Sequence, residues 1–188
     1  MAHRAPQEKL YTLEEYLQLP EDDGFFDELS HGRLVREPHP ADRHMRIANL
    51  IGYRLMQYVE AHPGCGVAYT EGGFLLEEHP PTMRIPDVAF LSAARSPREP
   101  PDPYVHGAPD LCNEVLAPGN RRRDMAEKVA QYLAAGARAV WIVDAKRRTA
   151  TIHEPGRPPR VVPEDGVLEG GTILPDLRWP LASLLTVY

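Results

Sequence analysis

The sequence predicts a mixed α/β fold in which a central β-sheet is flanked by helices. Short apolar runs of strand character alternate with amphipathic helical segments, in the order α-α-β-β-β-α-β-β. The segment 110–144 has the form strand–helix–strand, which predicts a right-handed parallel crossover. The length of 188 residues, with 43% hydrophobic and 26% charged residues, is typical of one soluble globular domain.

Two helices are predicted near the N-terminus. Thr12 and Glu15 have the spacing of a capping box, so a short helix begins there and ends near Pro20. A long amphipathic helix is predicted in ADRHMRIANLIGYRLMQYVEAH, because apolar residues recur there at helical spacing. These residues are Ile47, Leu50, Ile51, Leu55 and Val59.

Three strands and a helix are predicted in the middle of the chain. The first two strands are GVAYTEGGFLLEE and TMRIPDVAFLS, joined by a turn at His79-Pro80-Pro81, and the third strand is DLCNEVL. The helix predicted from Asp124 to Ala135 ends at Gly136, which is the residue type preferred just after a helix.

The last part of the chain adds two strands and a short closing unit. The apolar strand ARAVWIVDA pairs with TATIHE across a turn at Lys146-Arg147-Arg148. The tail TILPDLRWPLASLL has the pattern of a short strand followed by a helix.

The composition excludes several classes of protein. A net charge of −6 argues against a protein that coats nucleic acid non-specifically, although residues 120–150 carry eight basic and three acidic side chains. That basic segment is either a local site for a polyanion or a solvated surface. No apolar run approaches the ~20 residues that span a bilayer, and the N-terminal segment lacks an apolar core. A cytoplasmic protein without a membrane contact is expected.

Cysteines and histidines give no sign of a metal or disulfide framework. Of the two cysteines, Cys112 lies in an apolar strand and is expected to be buried. No HExxH, HxH or CxxC motif is present, which argues against a zinc site. His44, near the start of the long helix, is interpreted as a surface histidine or one satisfied by a neighbour.

Two acids, Asp87 and Glu114, occur within apolar strand-like segments. A carboxylate in such surroundings must be paired or take a raised pKa, and two on neighbouring strands would repel each other. A divalent cation would relieve this repulsion, and oxygen ligands with water suit Mg²⁺ or Mn²⁺. The structural alternative is that both acids form ion pairs with Arg84 or Lys128.

Lys128 is expected on one helix face with Asp124, Gln131 and Tyr132. Packed beside a strand acid, it could stabilise a phosphate group or lower the pKa of an attacking water. The alternative is that Lys128 only pairs with Asp124, four residues earlier on the helix.

Four residues are candidates for contacts with nucleic acid. Arg121, Arg122 and Arg123 precede the helix and could meet a phosphate backbone together with the helix N-terminus, or form a solvated turn. Tyr132 either touches the substrate or packs at the edge of the core.

The order of these motifs resembles a known family. R-x-P-D-V-x at 84–89 is followed by P-D-L-x-x-E-V-L-x-P, by a D-x-x-x-K-x-x-x-Y helix and by G-x-x-x-x-W-I-V-D. This pattern is similar to that of the Uma-two endonucleases of the PD-(D/E)XK superfamily, and the similarity extends roughly from Tyr11 to the C-terminal helix. It implies a restriction-endonuclease-like core and Mg²⁺-dependent hydrolysis of phosphodiester bonds.

The resemblance also implies roles for particular residues. Asp87 and Glu114 correspond to the two acids, which with the carbonyl of Val115 would hold Mg²⁺ or Mn²⁺. The superfamily places its lysine two residues after the second acid, where this chain has Leu116. The resemblance implies that Lys128 takes over that role from the helix.

A further acid and two departures from the family pattern complete the comparison. Glu28 corresponds to the acid that the superfamily often contributes from its first helix, with the adjacent Asp27 as the alternative. The common E-V-x-S-P-S/T form is altered, since Ala117 and Gly119 replace the two hydroxyl residues. Phosphate contacts from those two side chains are therefore not expected.

The resemblance implies a metal-dependent endonuclease acting on nucleic acid, with DNA as the expected substrate. The alternatives are a catalytically silent nucleic-acid-binding or interaction domain, and a metal-dependent phosphoesterase with another substrate. The single domain 1–188 is divided into an N-terminal helical part (1–63), a catalytic core (64–155) and a C-terminal strand and helix (156–188). A homodimer would let two sites cut two strands.

Overall fold

The computed structural model describes residues 9–20, 25–38, 41–96, 103–117 and 122–186. The helices in these residues are α1 (Leu13–Leu17), α2 (Asp42–Ala61), α3 (Arg122–Ala134) and α4 (Ala182–Leu185). The strands are β1 (Phe25–Ser30), β2 (Arg33–Pro38), β3 (Gly66–Thr70), β4 (Phe74–Glu78), β5 (Pro81–Arg84), β6 (Val88–Ser92), β7 (Val105–His106), β8 (Leu111–Val115), β9 (Ala139–Asp144), β10 (Thr149–His153), β11 (Arg160–Val162), β12 (Val167–Glu169) and β13 (Arg178–Pro180). None of the described helices is both long and apolar enough to cross a membrane.

The central sheet has six strands in the order β11-β10-β9-β8-β6-β3. β8 and β9 are parallel and are connected through α3, which confirms the predicted crossover. Both strands are buried along almost their whole length, because helices cover both faces of the sheet. The fold is therefore the predicted mixed α/β fold with flanking helices.

The alternation of side chains along β8 determines the face of the sheet on which Glu114 is buried. Leu111 and Val115 pack in the cluster that contains α2, whereas Cys112 packs in the cluster that contains Tyr132 of α3. Successive strand residues point to opposite faces. Glu114 therefore lies on the α3 face of the sheet.

A second sheet has the order β2-β1-β5-β4-β7, whereas one central sheet was expected. Its β1–β2 hairpin turns at His31 and Gly32, which both have positive φ, as a two-residue type I′ turn requires. The predicted N-terminal helical part (1–63) thus contains this β-hairpin between α1 and α2. Glu28 consequently lies on a strand and not on the first helix.

Two segments predicted as single strands are each divided between the two sheets. GVAYTEGGFLLEE forms β3 and β4, and TMRIPDVAFLS forms β5 and β6. β3 and β6 pair in the six-stranded sheet, whereas β4 and β5 pair in the five-stranded sheet. Asp87 lies at the break between β5 and β6, where the chain passes from one sheet to the other.

The predicted helices agree well with the observed ones. The capping box of Thr12 and Glu15 is present at α1, and Ile47, Ile51 and Leu55 of α2 are buried. α3 ends two residues before Gly136, whose φ is +100°. The C-terminal part differs, since three short strands (β11 to β13) precede α4 where one strand was expected.

Candidate active site

The candidate site is a pocket between the two sheets. Glu28, Asp87, Glu114, Lys128 and His44 all line it. They come from β1, the β5–β6 break, β8, α3 and the first turn of α2, respectively. The pocket thus joins all four residues expected to be catalytic and adds His44.

Lys128 is the cation of the pocket. Its side chain is buried, and its Nζ lies 3.0 Å from Glu28 Oε1 and 3.0 Å from Glu114 Oε1. Its charge is therefore satisfied without the proposed pairing with Asp124, which is exposed in the first turn of α3. Burial opposes the charge of Lys128, but the carboxylates of Glu114 and Glu28 outweigh this effect and raise its pKa.

Glu28 is held by more than one positive group. Its Oε2 accepts a hydrogen bond of 2.8 Å from Arg84 Nη1, and its Oε1 accepts one of 2.7 Å from the backbone N–H of Ile85. Burial raises its pKa, but Lys128, Arg84 and the Ile85 N–H outweigh it and lower the pKa below the usual value. Its neighbour Asp27 pairs with Arg36 instead, so Glu28 is the acid of this segment that enters the pocket.

Glu114 is less well compensated. Its Oε1 accepts a 2.8 Å hydrogen bond from the hydroxyl of Tyr132, and Lys128 is its adjacent cation. Burial raises the pKa of Glu114 to about 8 despite the opposing effect of Lys128, and the charges of Asp87 and Glu28 add to the rise. Burial also raises the pKa of Tyr132, so its hydroxyl stays protonated and donates a hydrogen bond to Glu114.

Each carboxylate oxygen of Asp87 has a close polar neighbour. Its Oδ2 accepts a 2.6 Å hydrogen bond from the backbone N–H of Val115, and its Oδ1 lies 3.0 Å from Nε2 of His44. The His44 side chain is only 12% exposed, so of its two interpretations the one as a surface histidine is wrong; its near neighbour is Asp87. Its burial depends on the packing of α2 against the sheet, and no local sequence signal indicated it.

A polar network behind the pocket was also missed. Arg84 Nε donates to Gln131 Oε1, and Gln131 Nε2 donates to Ser30 Oγ, both at 2.8 Å. Ser30 in turn donates to Glu127 at 2.6 Å. The sequence places Gln131 on the same helix face as Lys128, and this position was the signal that could have indicated the network. Arg84 pairs with Glu28, and not with either of the two acids expected from the sequence.

The candidate nucleic-acid contacts have different environments. Arg121 lies outside the described residues, and Arg122 and Arg123 are exposed at the N-terminus of α3. Tyr132 is 0% exposed and bonded to Glu114, which corrects its expected position as a substrate contact. Tyr132 therefore packs in the core, as the second interpretation expected. Its hydroxyl also donates a hydrogen bond to Glu114 inside the site.

The pocket offers a partial set of ligands for a hard divalent cation. Asp87, Glu114 and Val115 line it together, and carboxylate and carbonyl oxygens suit Mg²⁺. Within the described ranges, no three His, Cys, Asp or Glu side chains are grouped so as to hold a metal ion alone. Mg²⁺ is commonly bound by one or two carboxylates with water and substrate phosphates, so the residues present fit it in that manner.

The mixed sheet, with two acids and a lysine gathered beside β8, defines a protein of the restriction-endonuclease-like class. The chain matches the family described as "Uma2: Putative restriction endonuclease" over residues 13–185. It belongs to this family, which confirms the resemblance seen in the sequence.

A solved structure has the same fold. It is the crystal structure of "a putative nuclease belonging to DUF820" from Anabaena variabilis ATCC 29413. The TM-score is 0.83 at 22% sequence identity, and the match covers 93% of this chain and 97% of that chain. No curated protein matches this chain.

Proposed function

We propose that this protein is an endonuclease that hydrolyses phosphodiester bonds of DNA with Mg²⁺ or Mn²⁺ as its cofactor. The observation that carries the proposal is one pocket containing Asp87, Glu114 and the buried amine of Lys128. Metal-assisted hydrolysis requires such acids as metal ligands and a positive charge beside the reacting phosphate. Membership in a family described as "Putative restriction endonuclease" supports the reaction class.

Asp87, Glu114 and the carbonyl oxygen of Val115 are the proposed metal ligands. A divalent cation bound there polarises the phosphate and lowers the pKa of a bound water. The charges support a cation, because five acidic side chains line the pocket beside Lys128 and His44; these acids are Glu28, Glu37, Glu71, Asp87 and Glu114. The raised pKa of Glu114 is consistent with a shortage of positive charge.

Lys128 is the proposed catalytic cation. An ammonium group has three N–H donors, which here face Glu28 and both carboxylate oxygens of Glu114; a metal bound by Glu114 would free one of them for a water or a phosphate oxygen. In that position it would orient the attacking water and stabilise the negative charge that develops on the phosphate. Tyr132 holds the carboxylate of Glu114 and Arg84 holds that of Glu28, and the amine lies between these two carboxylates.

The contacts with substrate are proposed at the N-terminus of α3. Arg122 and Arg123 are exposed there, and with Arg121 they would bind the phosphate backbone of the DNA. We further propose that the protein works in the cytoplasm, where a homodimer would bring two sites to two strands.

Cleavage assays test this function. Plasmid, linear duplex, single-stranded DNA, branched DNA and RNA are incubated with Mg²⁺, Mn²⁺ or EDTA. The variants are Asp87→Asn and Lys128→Met, and exposed residues of the same types provide the controls Asp165→Asn and Lys146→Met. Metal-dependent cleavage should fall by at least about 100-fold in the first pair. It should be unchanged in the control pair.

The opposite results have distinct meanings. Cleavage that survives in folded Asp87→Asn would contradict the proposed site. If the wild-type protein binds duplex DNA but cuts no substrate with either metal, the chain is a silent binding domain. Circular dichroism of each variant shows whether a loss of cleavage comes from the substituted side chain or from unfolding.

A further inference from the structure

His44 is held rigidly at the edge of the pocket. It lies in the first turn of α2, and Ile47 and Ile51 of the same helix are buried in the core. The imidazole therefore has little freedom to leave the pocket, which it lines together with Asp87 and Glu114.

The contact between His44 and Asp87 has an unusual geometry for a hydrogen bond. Nε2 lies 3.0 Å from Asp87 Oδ1, yet neither ring nitrogen of His44 forms a hydrogen bond with any described residue. The two atoms are close, but the ring is not aligned to donate to the oxygen. A buried ring nitrogen without a partner is costly, which indicates that something else satisfies it.

Two ligands of one metal ion would have this arrangement. Neighbouring ligand atoms in an octahedral shell with bonds of about 2.1 Å lie about 3.0 Å apart. The lone pairs of both ligand atoms point toward the ion and not toward each other. The second oxygen of Asp87 is fixed by the Val115 N–H, which leaves Oδ1 to face the same position as Nε2.

We propose that His44 is a direct ligand of the metal and that the site consequently takes Mn²⁺ in preference to Mg²⁺. Imidazole nitrogen is a better ligand for transition metals than for Mg²⁺, which prefers oxygen. His44 and Asp87 supply two adjacent ligands beside the proposed ligands Glu114 and the Val115 carbonyl, and water and substrate oxygens complete the shell. The inference rests on the proposed function for the location of the metal, but it concerns binding and can be measured without cleavage.

Direct measurement of the metal tests this inference. Metal-free full-length protein is titrated with Mn²⁺ by electron paramagnetic resonance, and with Mg²⁺ by competition. The variants are His44→Ala and the control His106→Ala, since His106 is an exposed histidine 3.8 Å from a carboxylate of Glu78. Spin-echo modulation of bound Mn²⁺ detects coupling to an imidazole nitrogen.

The expected result is one Mn²⁺ per chain with imidazole coupling in the wild type and in His106→Ala. In His44→Ala the coupling should disappear, and Mn²⁺ binding should weaken by about tenfold or more, with a smaller loss for Mg²⁺. If alanine prevents folding, His44→Gln should lose the same coupling.

Two results would overturn the inference. Mn²⁺ bound to the wild type without imidazole coupling, and with an unchanged preference in His44→Ala, would exclude His44 as a ligand. The nuclease proposal would then survive, because cleavage with Mg²⁺ is assayed separately. Failure of the wild type to bind either ion would contradict both the assignment of His44 and the proposed metal-dependent function.

Discussion

The two glutamates that contact Lys128 differ in their other partners. Besides Lys128, Glu28 receives hydrogen bonds from Arg84 and the backbone of Ile85, whereas Glu114 receives one from the neutral hydroxyl of Tyr132. The pKa of Glu28 is lowered for this reason, and burial raises that of Glu114 to about 8. Glu114 is therefore the acid in the pocket whose protonation should respond most to an added cation.

This difference predicts a pH dependence of stability. An unfolded glutamate loses its proton near its usual pKa of about 4.3, whereas folded Glu114 retains it up to a pKa of about 8. Between these values the folded state binds more protons, so the contribution of Glu114 to the free energy of unfolding falls as pH rises. Urea unfolding in EDTA measures this effect. From pH 5 to 8 the free energy of unfolding should fall less in Glu114→Gln than in the wild type.

The exposed acid Glu60, on α2, provides the matched control. Glu60→Gln should have the same pH dependence as the wild type. Equal slopes for wild type and Glu114→Gln would contradict a raised pKa at Glu114.

At the scale of elements, α3 connects the two sheets. Lys128 contacts Glu28 of β1 and Glu114 of β8, and Tyr132 also contacts Glu114. Gln131, on the same face, bonds to residues of β1 and β5. One helix face therefore determines the relative position of the strands that carry the acids.

Removal of the polar group of Gln131 should destabilise this arrangement. Gln131→Met keeps the approximate size of the side chain but leaves Arg84 Nε without its acceptor and Ser30 without a donor. An unsatisfied buried polar group costs about 1–3 kcal/mol, so the free energy of unfolding should fall by that amount. Urea denaturation measures the change.

The same substitution on α2 is the control. Gln57 is exposed and bonds only to the hydroxyl of Tyr53 among its described contacts. Gln57→Met should change stability by less than about 0.5 kcal/mol. A similar small effect at both glutamines would mean that water replaces the network around Gln131.

At the scale of the whole molecule, the pocket exists only when distant segments are packed together. Its acids extend from Glu28 to Glu114 in the chain and belong to two different sheets. An unfolded chain would not keep them within reach of one ion. Metal binding should therefore be coupled to folding.

We predict that Mn²⁺ raises the thermal midpoint of the protein. At a concentration about 100 times the Kd, a ligand that binds only the folded state stabilises it by about 2.7 kcal/mol. For a chain of this size that corresponds to a rise of roughly 5–10 °C. Differential scanning calorimetry with Mn²⁺ and with EDTA measures the difference.

Asp87→Asn should lose this rise, and the surface variant Asp165→Asn should retain it. A rise of the same size in Asp87→Asn would indicate that the ion binds elsewhere on the protein. No rise in the wild type would argue against a metal site in the folded chain.

The sequence by itself determined the local elements and the residues expected to be catalytic. Hydrophobic periodicity predicted α2, α3 and the β8–α3–β9 crossover, since each pattern is contained in neighbouring residues. The breaks that divide two predicted strands were missed, because the apolar pattern continues while the chain changes sheet.

Only the tertiary structure decided how these residues are paired. The bond between Ser30 and Gln131 joins positions 101 residues apart, and the contact of His44 with Asp87 depends on where α2 packs. Burial, and with it the raised pKa of Glu114, arises from the same packing of the two sheets against α3. Residue types and periods are local properties of a chain, whereas the electrostatics of a site depend on neighbours that folding brings together.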